Sequence, residues 1–342
     1  MQIIAAAYRS RVESKLLSID QFRHEYGIDE RTDEWGNQLM ETLRILIERS
    51  SSVISINDLV SMIADTIANR DFGFGEQCDP VFLLQYLTEY FDKQMHPEFP
   101  DPMFAPFDFH FEMRTYVDES EVLVTEPLEP IDVLKLRRVN TENPCYLLQL
   151  CVDDEESDVQ TLIERDMNCT METTWGNTVY HRRYVTNKSH HILLGINRTC
   201  WSNDGEAGIN ITPIEINREI LIRGGDFDDE DMPGGVLLYK FRGAMCHIGS
   251  VSFGHFITYV QEDDRIIKLD DVAVSVANEE DLDNIRRAGV ILLYEYESSV
   301  SREELSSDID IVNELMIKRS KFLCQEDFID RHVANTNDKE RD

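Results

Sequence analysis

The sequence predicts an α+β protein with a largely antiparallel β-sheet. Residues 1–95 carry apolar positions at helical spacing, whereas the chain from about residue 107 to residue 300 consists of short strand patterns. A proline-rich segment, "HPEFPDPMFAPFDF" (residues 96–109), separates these two parts. Helices followed by a long run of strands and then a C-terminal helix are typical of an α+β arrangement.

Three helical patterns precede the proline-rich segment. "NQLMETLRILIERS" and "SINDLVSMIADTIANR" each place their apolar side chains on one face, as expected of helices that contribute to a core. "DPVFLLQYLTEYFDKQM" opens with Asp79 at the cap position and Pro80 at the first helical position, which is a strong start signal. We interpret these stripes as core rather than as parts of a cofactor site.

The strand region begins after the proline-rich segment and continues with acidic connectors such as "VDDEESD". Each strand is predicted from alternating apolar and polar residues or from a short apolar run. The predicted strands are "FHFEMRTYV", "CYLLQLCV", "TTWGNTVYHRRYV", "HHILLGINR", "GINITPIEINREILI", "GGVLLYKFRGAMCHIGS", "GHFITYVQ", "DRIIKLDDVAVSV" and "GVILLYEYE". A helix is predicted within residues 301–332, and the polar residues 333–342 are expected to fray.

Charge is the most unusual feature of the composition. The 342 residues include 66 acidic and 33 basic side chains, which gives a net charge of -33. Such a field repels nucleic acid and anionic membranes and favours a partner with a basic face. Improved solubility without any partner explains the charge equally well. The chain has no run of 18 apolar residues, so no membrane span is predicted, and its start does not have the pattern of a signal peptide.

Cysteine usage indicates a reducing compartment, the cytosol or the nucleus. The seven cysteines are scattered and form no CxxC pair, which argues against a disulfide framework and against a cysteine-rich zinc site. The acidic stretch "DFDDEDMPGG" (226–235) lacks the glycine and terminal glutamate of a calcium-binding loop, so a solvated loop is predicted. We therefore expect neither a metal nor another cofactor.

The segment "GSVSFGHFITYV" (249–260) places His255 behind Gly254 at the start of a strand. Asp270 and Asp271 follow fifteen residues later, in "IKLDDV". If the two segments pair as a hairpin, a carboxylate can reach the imidazole, fix its tautomer and stabilise its charged form. Such a pair can activate a nucleophile or polarise a water. A purely structural His–Asp hydrogen bond at a strand edge is the alternative.

Residues 239–297 resemble the C-terminal box of the ubiquitin-specific proteases. The family pattern is roughly Y-x-L-x-A-x-x-x-H-x-G-S-x-x-x-G-H-Y-x-x-Y, followed by W-x-x-F-D-D-x-x-V, an acidic helix and A-Y-x-L-x-Y. The residues that match the pattern, besides "ILLYEY", are Tyr239, His247, Gly249, Ser250, Gly254, His255, Tyr259, Asp270, Asp271 and Val274. The resemblance implies the papain-like thumb, palm and fingers fold of a cysteine deubiquitinase.

The resemblance extends upstream and covers about residues 1–297. "GFGEQCDPVFLLQYLTEYF" is similar to the family's Q-Q-x-D-A-Q-E-F-L-x-x-L-L-x-x-L helix, but Val81 and Phe82 replace the usual Gln-Glu. "HHILLGINR" is similar to the P-x-I-L-I-I-H-L-K-R-F strand, with Gly195 and Asn197 as departures. The implied organisation is a catalytic-type domain over residues 1–300, with a helical thumb at 1–95 and fingers and palm at 107–300.

The resemblance also implies roles for individual residues. His255 would be the general base, and Asp270 would orient it. Asp79 would hold the C-terminal tail of ubiquitin, and Gly254 and Phe256 would belong to the narrow channel that admits the two terminal glycines. Asp271 would be a second carboxylate beside the pair, and ubiquitin or a ubiquitinated protein would be the partner.

The family's nucleophile box, which resembles G-N-T-C-Y-M-N-S-x-L-Q, has no counterpart in the printed sequence. "MQIIAAAYRSRVESKLLS" resembles the end of the helix that follows the cysteine, so the nucleophile would fall before Met1. "WGNTVY" (175–180) has Val179 at the cysteine position and reads as an ordinary strand, while Cys78 and Cys246 read as structural cysteines. Three readings stay open: an inactive ubiquitin-binding homologue, an active deubiquitinase represented by a truncated chain, and a scaffold that no longer binds ubiquitin.

Overall fold

The structure is a computed structural model. It describes residues 80–81, 83–84, 110–118, 134–141, 146–153, 155, 157–172, 178–202, 204–224, 235–251, 253–262, 265–301, 304, 309–319 and 321–323. The three predicted N-terminal helices lie outside this part of the chain, except that residues 80, 81, 83 and 84 have helical backbone. Asp79 and Cys78 also lie outside the described residues.

Short strands dominate the described part of the chain, as the alternating sequence patterns predict. In chain order the elements are β1 (Phe111–Asp118), β2 (Leu134–Thr141), β3 (Leu148–Cys151), β4 (Ser157–Asp158), α1 (Val159–Met167), β5 (Asn168–Glu172), β6 (Thr178–Val185), β7 (His191–Asn197), β8 (Thr199–Trp201), β9 (Ala207–Ile209), β10 (Ile214–Glu215), β11 (Glu219–Arg223), β12 (Gly235–Gly249), β13 (Gly254–Glu262), β14 (Arg265–Asp270), β15 (Ala273–Val276), α2 (Glu279–Ala288), β16 (Gly289–Ser301) and α3 (Ile309–Arg319).

An eight-stranded sheet forms the centre of the described structure. Its order is β15-β14-β13-β12-β16-β7-β3, and β11 pairs with the first part of β12. All pairs are antiparallel except β3 with β7. The fifteen-residue strand β12 is long enough to pair with β11 near its start and with β13 near its end. The C-terminal end of β12 and the start of β13 therefore meet at one end of these two interior strands.

The remaining strands form smaller sheets. β2, β1, β6 and β5 make a four-stranded antiparallel sheet in that order, β8 and β9 make a hairpin, and β4 pairs with β10 in parallel. The fold is thus α+β with a largely antiparallel sheet, as predicted. Among the described residues, no helix is long and apolar enough to cross a bilayer.

Apolar side chains of the large sheet and of the two helices packed on it form the main core. β7 is buried along six consecutive positions, which explains why its sequence is a continuous apolar run instead of an alternating one. Tyr239 and Tyr294 are fully buried, and their hydroxyls donate to the backbone carbonyls of Ser189 and Asn217 at 3.0 and 2.9 Å. These hydrogen bonds satisfy polar groups that would otherwise be costly in the core.

Two of the predicted single strands are interrupted in the structure. "GINITPIEINREILI" contains β9, β10 and β11 with non-strand residues between them. Arg198 is buried in this region, and its guanidinium donates to the carbonyls of Asn210 and Thr212 at 3.1 and 2.9 Å. The backbone of this segment therefore pairs with a side chain instead of a neighbouring strand. "DRIIKLDDVAVSV" is also divided, because the chain reverses between β14 and β15.

The helices α2 and α3 flank β16 in the chain, and different contacts hold each of them in place. α2 begins with a capping box, in which Asn278 and Asp281 each accept from the other's backbone N–H. Within the predicted helical region 301–332, helix is present at residue 304 and over α3, and Phe322 forms a bridge with Asn217. Leu315 of α3 packs against Leu221 and Leu238, so the C-terminal segment is docked on β11 and β12.

Candidate functional site

The turn between β12 and β13 positions the candidate histidine. Gly249 has a φ of 146°, which favours glycine, and Ser250 N–H donates to the Phe253 carbonyl at 2.6 Å. The Phe253 N–H donates in return to the Ser250 hydroxyl at 3.2 Å. The turn is therefore closed by local hydrogen bonds, and the chain enters β13 at Gly254 with His255 as its second residue.

Gly254 is required by close packing rather than by its backbone angle. A Cβ at this position would lie 2.0 Å from Nε2 of His247, which is on the neighbouring strand β12. The His247 ring stacks on Phe256 with a centroid distance of 4.6 Å and an interplanar angle of 27°. The family-like His-x-Gly-Ser…Gly-His pattern thus corresponds to a packed unit in which one imidazole covers Gly254 and supports Phe256.

The β14–β15 hairpin supplies the carboxylates. Asp270 is the last residue of β14 and pairs with Ala273, so the connecting loop consists of Asp271 and Val272. Asp271 adopts a left-handed backbone conformation with a φ of 52°, which aspartate tolerates better than most residues. This tight reversal fixes the position of Asp270 at the end of its strand, next to β13.

His255 and Asp270 form a direct hydrogen bond. The distance from His255 Nε2 to Asp270 Oδ1 is 2.6 Å, and the two side chains are 46% and 33% exposed. The bond to Asp270 raises the pKa of His255 above its ordinary value of 6.5, and the nearby charge of Asp271 adds to the increase. Because the bond uses Nε2, Nδ1 remains available to exchange a proton with a second group.

A buried carboxylate network lies behind this pair. Asp281 of α2 is 2% exposed and accepts from the Tyr259 hydroxyl at 2.8 Å, and the Lys268 ammonium lies 3.1 Å from the same oxygen. Tyr259 is on β13 and Lys268 on β14, the strands that carry His255 and Asp270. The helix therefore ties both strands together. Sequence reasoning missed Asp281 because it lies in an acidic run; its position three residues after the cap Asn278 was the available signal.

The predicted site residues separate into two groups. The structure brings together His255, Asp270, Asp271, Gly254 and Phe256. Asp79 lies outside the described residues, so its role stays a prediction. The catalytic and substrate-binding roles of the first group also stay predictions, although their geometry is now defined.

Of the three cysteines whose side chains the structure describes, none lies on β13 or β14 beside His255. Cys246 is fully buried on β12, and burial raises the pKa of its thiol strongly, which keeps it protonated. Cys151 and Cys200 are exposed on β3 and β8. Val179, which stands at the cysteine position of the "WGNTVY" mimic, is in β6 and pairs with Val117 of β1.

One cluster has ligand types suited to a cation. Within the described residues, His255, Asp270 and Asp271 offer ligand atoms that all lie within 4.8 Å of one another. The same atoms make the His255–Asp270 hydrogen bond, so a cation there would compete with that bond.

A histidine oriented by a carboxylate, here on the adjacent antiparallel strands β13 and β14, is the acid–base pair of triad-type hydrolases. Comparison with known families supports this class directly, because the family model "Ubiquitin carboxyl-terminal hydrolase" matches residues 12–294. The chain belongs to this family, and its fold is that of the ubiquitin-specific proteases. A search of curated protein sequences found no significant match.

Two solved structures show the same fold at low sequence identity. One is the SAGA DUB module Ubp8/Sgf11/Sus1/Sgf73 bound to monoubiquitin, with a TM-score of 0.53 and 12% identity, covering 71% of this chain and 53% of that chain. The other is the same module bound to ubiquitin aldehyde, with a TM-score of 0.52 and 13% identity, covering 78% of this chain and 65% of that chain. The chain thus spans between about half and two thirds of these proteins.

Proposed function

We propose that this chain binds ubiquitin and, with the residues of the printed sequence, does not hydrolyse ubiquitin conjugates. The observation that carries the proposal is a formed His255–Asp270 pair, with no suitable thiol beside it among the side chains that the structure describes. Membership in the family and the two ubiquitin-bound structures of the same fold support ubiquitin as the partner. The net charge of -33 supports recognition of a basic face of that partner.

The chemistry of the pair explains why the thiol decides the activity. In a cysteine hydrolase, the imidazole takes the proton of the thiol, and the resulting thiolate attacks the carbonyl carbon of the scissile bond. The imidazolium then returns the proton to the leaving amine, and water later releases the acyl group. Asp270 would stabilise the imidazolium in both steps. Without the thiol, the pair has no group to activate for acyl transfer.

An active deubiquitinase is the second candidate, and the His255–Asp270 bond itself favours it. A side-chain hydrogen bond of 2.6 Å that raises the pKa of the histidine is the polarisation that a general base requires. A chain that carries the family's cysteine box ahead of the printed residues would place a thiolate next to Nδ1. In such a chain, the His255–Asp270 pair would act as the general base.

A scaffold that has lost ubiquitin is the third possibility, and the structure weakens one argument for it. Gly195 departs from the family pattern, but a Cβ there would lie 2.7 Å from the Leu147 side chain. The Leu147 side chain therefore occupies the space that a larger residue at position 195 would need. Asn197 accepts a hydrogen bond from the Thr199 N–H at 3.0 Å, so this departure also has a local structural role.

Two measurements on the same protein test the proposal. The chain is incubated with ubiquitin that carries a thiol-reactive group at its C-terminus, and unmodified ubiquitin labelled with ¹⁵N is titrated in parallel. We expect chemical-shift changes in the ubiquitin tail and no covalent adduct. An adduct whose formation Asp270→Asn slows would contradict the proposal and favour the active alternative. If the ubiquitin resonances did not shift at high concentration, the remaining candidate would be a scaffold that no longer binds ubiquitin.

The cysteine pattern supports a separate proposal about the location of the protein. Scattered cysteines without pairs suit a reducing compartment, and we propose the cytoplasm or the nucleus. Fluorescent tagging of the endogenous protein checks this placement.

A further inference from the structure

The outer edge of β15 has the features of a peptide-docking surface. β15 is the last strand of the eight-stranded sheet, and within the described residues its outer side pairs with no strand. Unpaired strand edges present backbone N–H and C=O groups that readily accept another strand. Soluble proteins usually protect such edges with charged residues, prolines or bulges. Residues 272–278 of this chain are "VAVSVAN", which contain none of these charges or prolines.

The register defines which backbone groups of β15 face outward. Ala277 N–H donates to the Ile266 carbonyl at 2.8 Å, and antiparallel pairs alternate between hydrogen-bonded and non-hydrogen-bonded. The pairs Lys268–Ser275 and Asp270–Ala273 are then hydrogen-bonded across to β14. Val274 and Val276 are consequently the residues whose N–H and C=O groups point away from the sheet.

The side chains on this edge are apolar and unusually exposed. Val272 is 95% exposed at the tip of the hairpin, and Val274 is 69% exposed on the strand. Exposed apolar groups beside an open strand edge favour a partner that adds a strand and covers them.

Acidic residues at both ends of β15 indicate the charge of that partner. Asp270 and Asp271 precede the strand, and Glu279 and Glu280 follow it within a few residues. Lys268, on the neighbouring strand, is already paired with Asp281 at 3.1 Å. A second copy of this chain, with a charge of -33, would be repelled. A basic segment complements the strip at both ends.

We propose that the edge strip Val272–Val276 binds an extended polypeptide segment in which β-branched residues alternate with lysine or arginine. The segment would add antiparallel to β15, one strand away from Asp270. Backbone hydrogen bonds at Val274 and Val276 would supply affinity, and the flanking carboxylates would select basic residues. The outward backbone groups at Val274 and Val276 lie outside the His255–Asp270 pair, but Asp270 and Asp271 border both surfaces, so the test of this inference substitutes neither of them.

A synthetic peptide of alternating valine and lysine, with blocked ends, is the probe. Its affinity is measured by fluorescence anisotropy for the native chain, for Val274→Pro and for the matched control Val274→Thr. Proline removes the outward N–H without breaking a bond to β14, and edge strands tolerate it. We expect Val274→Pro to weaken binding roughly three- to tenfold, and Val274→Thr, which keeps the N–H, to weaken it less.

Controls on the peptide keep the result interpretable even if Val274→Pro fails to fold. N-methylation of the peptide backbone on its pairing edge removes the same hydrogen bonds from the other side, and we expect it to abolish binding to the native chain. A valine–glutamate peptide should not bind. Equal binding of native and N-methylated peptides, or of basic and acidic peptides, would overturn the proposal. Self-association of the native chain that Val274→Pro abolishes would overturn it in favour of a second copy.

Discussion

The bond between His255 and Asp270 makes a prediction about protonation. Because Asp270 accepts from the ring, the folded-state pKa of His255 is raised above the ordinary 6.5. The protonated form therefore stabilises the fold. This contribution is complete below about pH 6.5 and is lost as the pH rises through the folded-state value.

Substitution of Asp270 tests that assignment. We expect Asp270→Asn to lower the pKa of His255 by more than Asp271→Asn does, because the first removes the charge of the hydrogen-bonded partner and the second only a nearby charge. An NMR titration of the His255 ring protons measures both shifts. If the two variants gave equal shifts, the direct bond would not be the principal cause.

Asp281 makes a second prediction at the residue scale. Its carboxylate is buried and holds the Tyr259 hydroxyl and the Lys268 ammonium, which an alanine would leave without this acceptor. We expect Asp281→Ala to reduce the free energy of unfolding by about 2–4 kcal/mol, as is usual when one partner of a buried polar network is removed. Urea denaturation followed by circular dichroism measures this change.

Asp283 is the matched control for that substitution. It lies on the same helix and contacts Arg287 four residues later, but both side chains are about half exposed, at 59% and 46%. Asp283→Ala should change the stability by less than about 0.5 kcal/mol. Similar losses in the two variants would mean that the buried network is not the cause, since alanine itself favours a helix over aspartate.

These residues also show where sequence reasoning succeeds and where it does not. His255 and Asp270 lie close in the chain, and one hairpin is enough to join them, so their contact was predictable. Asp281 sits in "NEEDLDN", a stretch that looks solvated. Its burial depends on partners from two strands, and such tertiary contacts leave no local pattern.

At the scale of elements, strands with full backbone pairing were predicted well. β7 and β12 occupy most of the runs "HHILLGINR" and "GGVLLYKFRGAMCHIGS". Alternation alone misplaced the strand in "GINITPIEINREILI", because Arg198 takes the carbonyls of Asn210 and Thr212. A pattern of apolar residues indicates which side chains are buried, but it does not indicate which groups the backbone forms hydrogen bonds with.

The docking of α3 gives a prediction at the same scale. Leu315 is 7% exposed and packs on β11 and β12, beyond the end of the family match at residue 294. We expect Leu315→Ala to reduce the free energy of unfolding by about 2–3 kcal/mol, because a buried leucine is lost from a packed contact. Thermal denaturation of purified variants measures the change.

Ile317 on the same helix provides the comparison. Its side chain is 58% exposed, so Ile317→Ala should stay within about 0.5 kcal/mol of the native chain. If Leu315→Ala were equally mild, the C-terminal segment would be an appendage and not part of the folded domain.

At the scale of the whole molecule, charge connects the composition to the proposed function. The net charge of -33 creates a long-range field that attracts a basic partner before contact. Attraction of this kind changes the association rate more than the dissociation rate, and salt screens it with a Debye length of about 10 Å at 0.1 M.

We therefore expect the association rate constant for ubiquitin to fall by roughly tenfold or more between low and high salt, while the dissociation rate changes little. Stopped-flow fluorescence over a range of sodium chloride concentrations measures both rates. A charge-balanced control partner of similar size that does not bind sets the background. A flat association rate would mean that the acidity serves solubility alone, and a rise in the dissociation rate would instead indicate ion pairs formed in the bound complex.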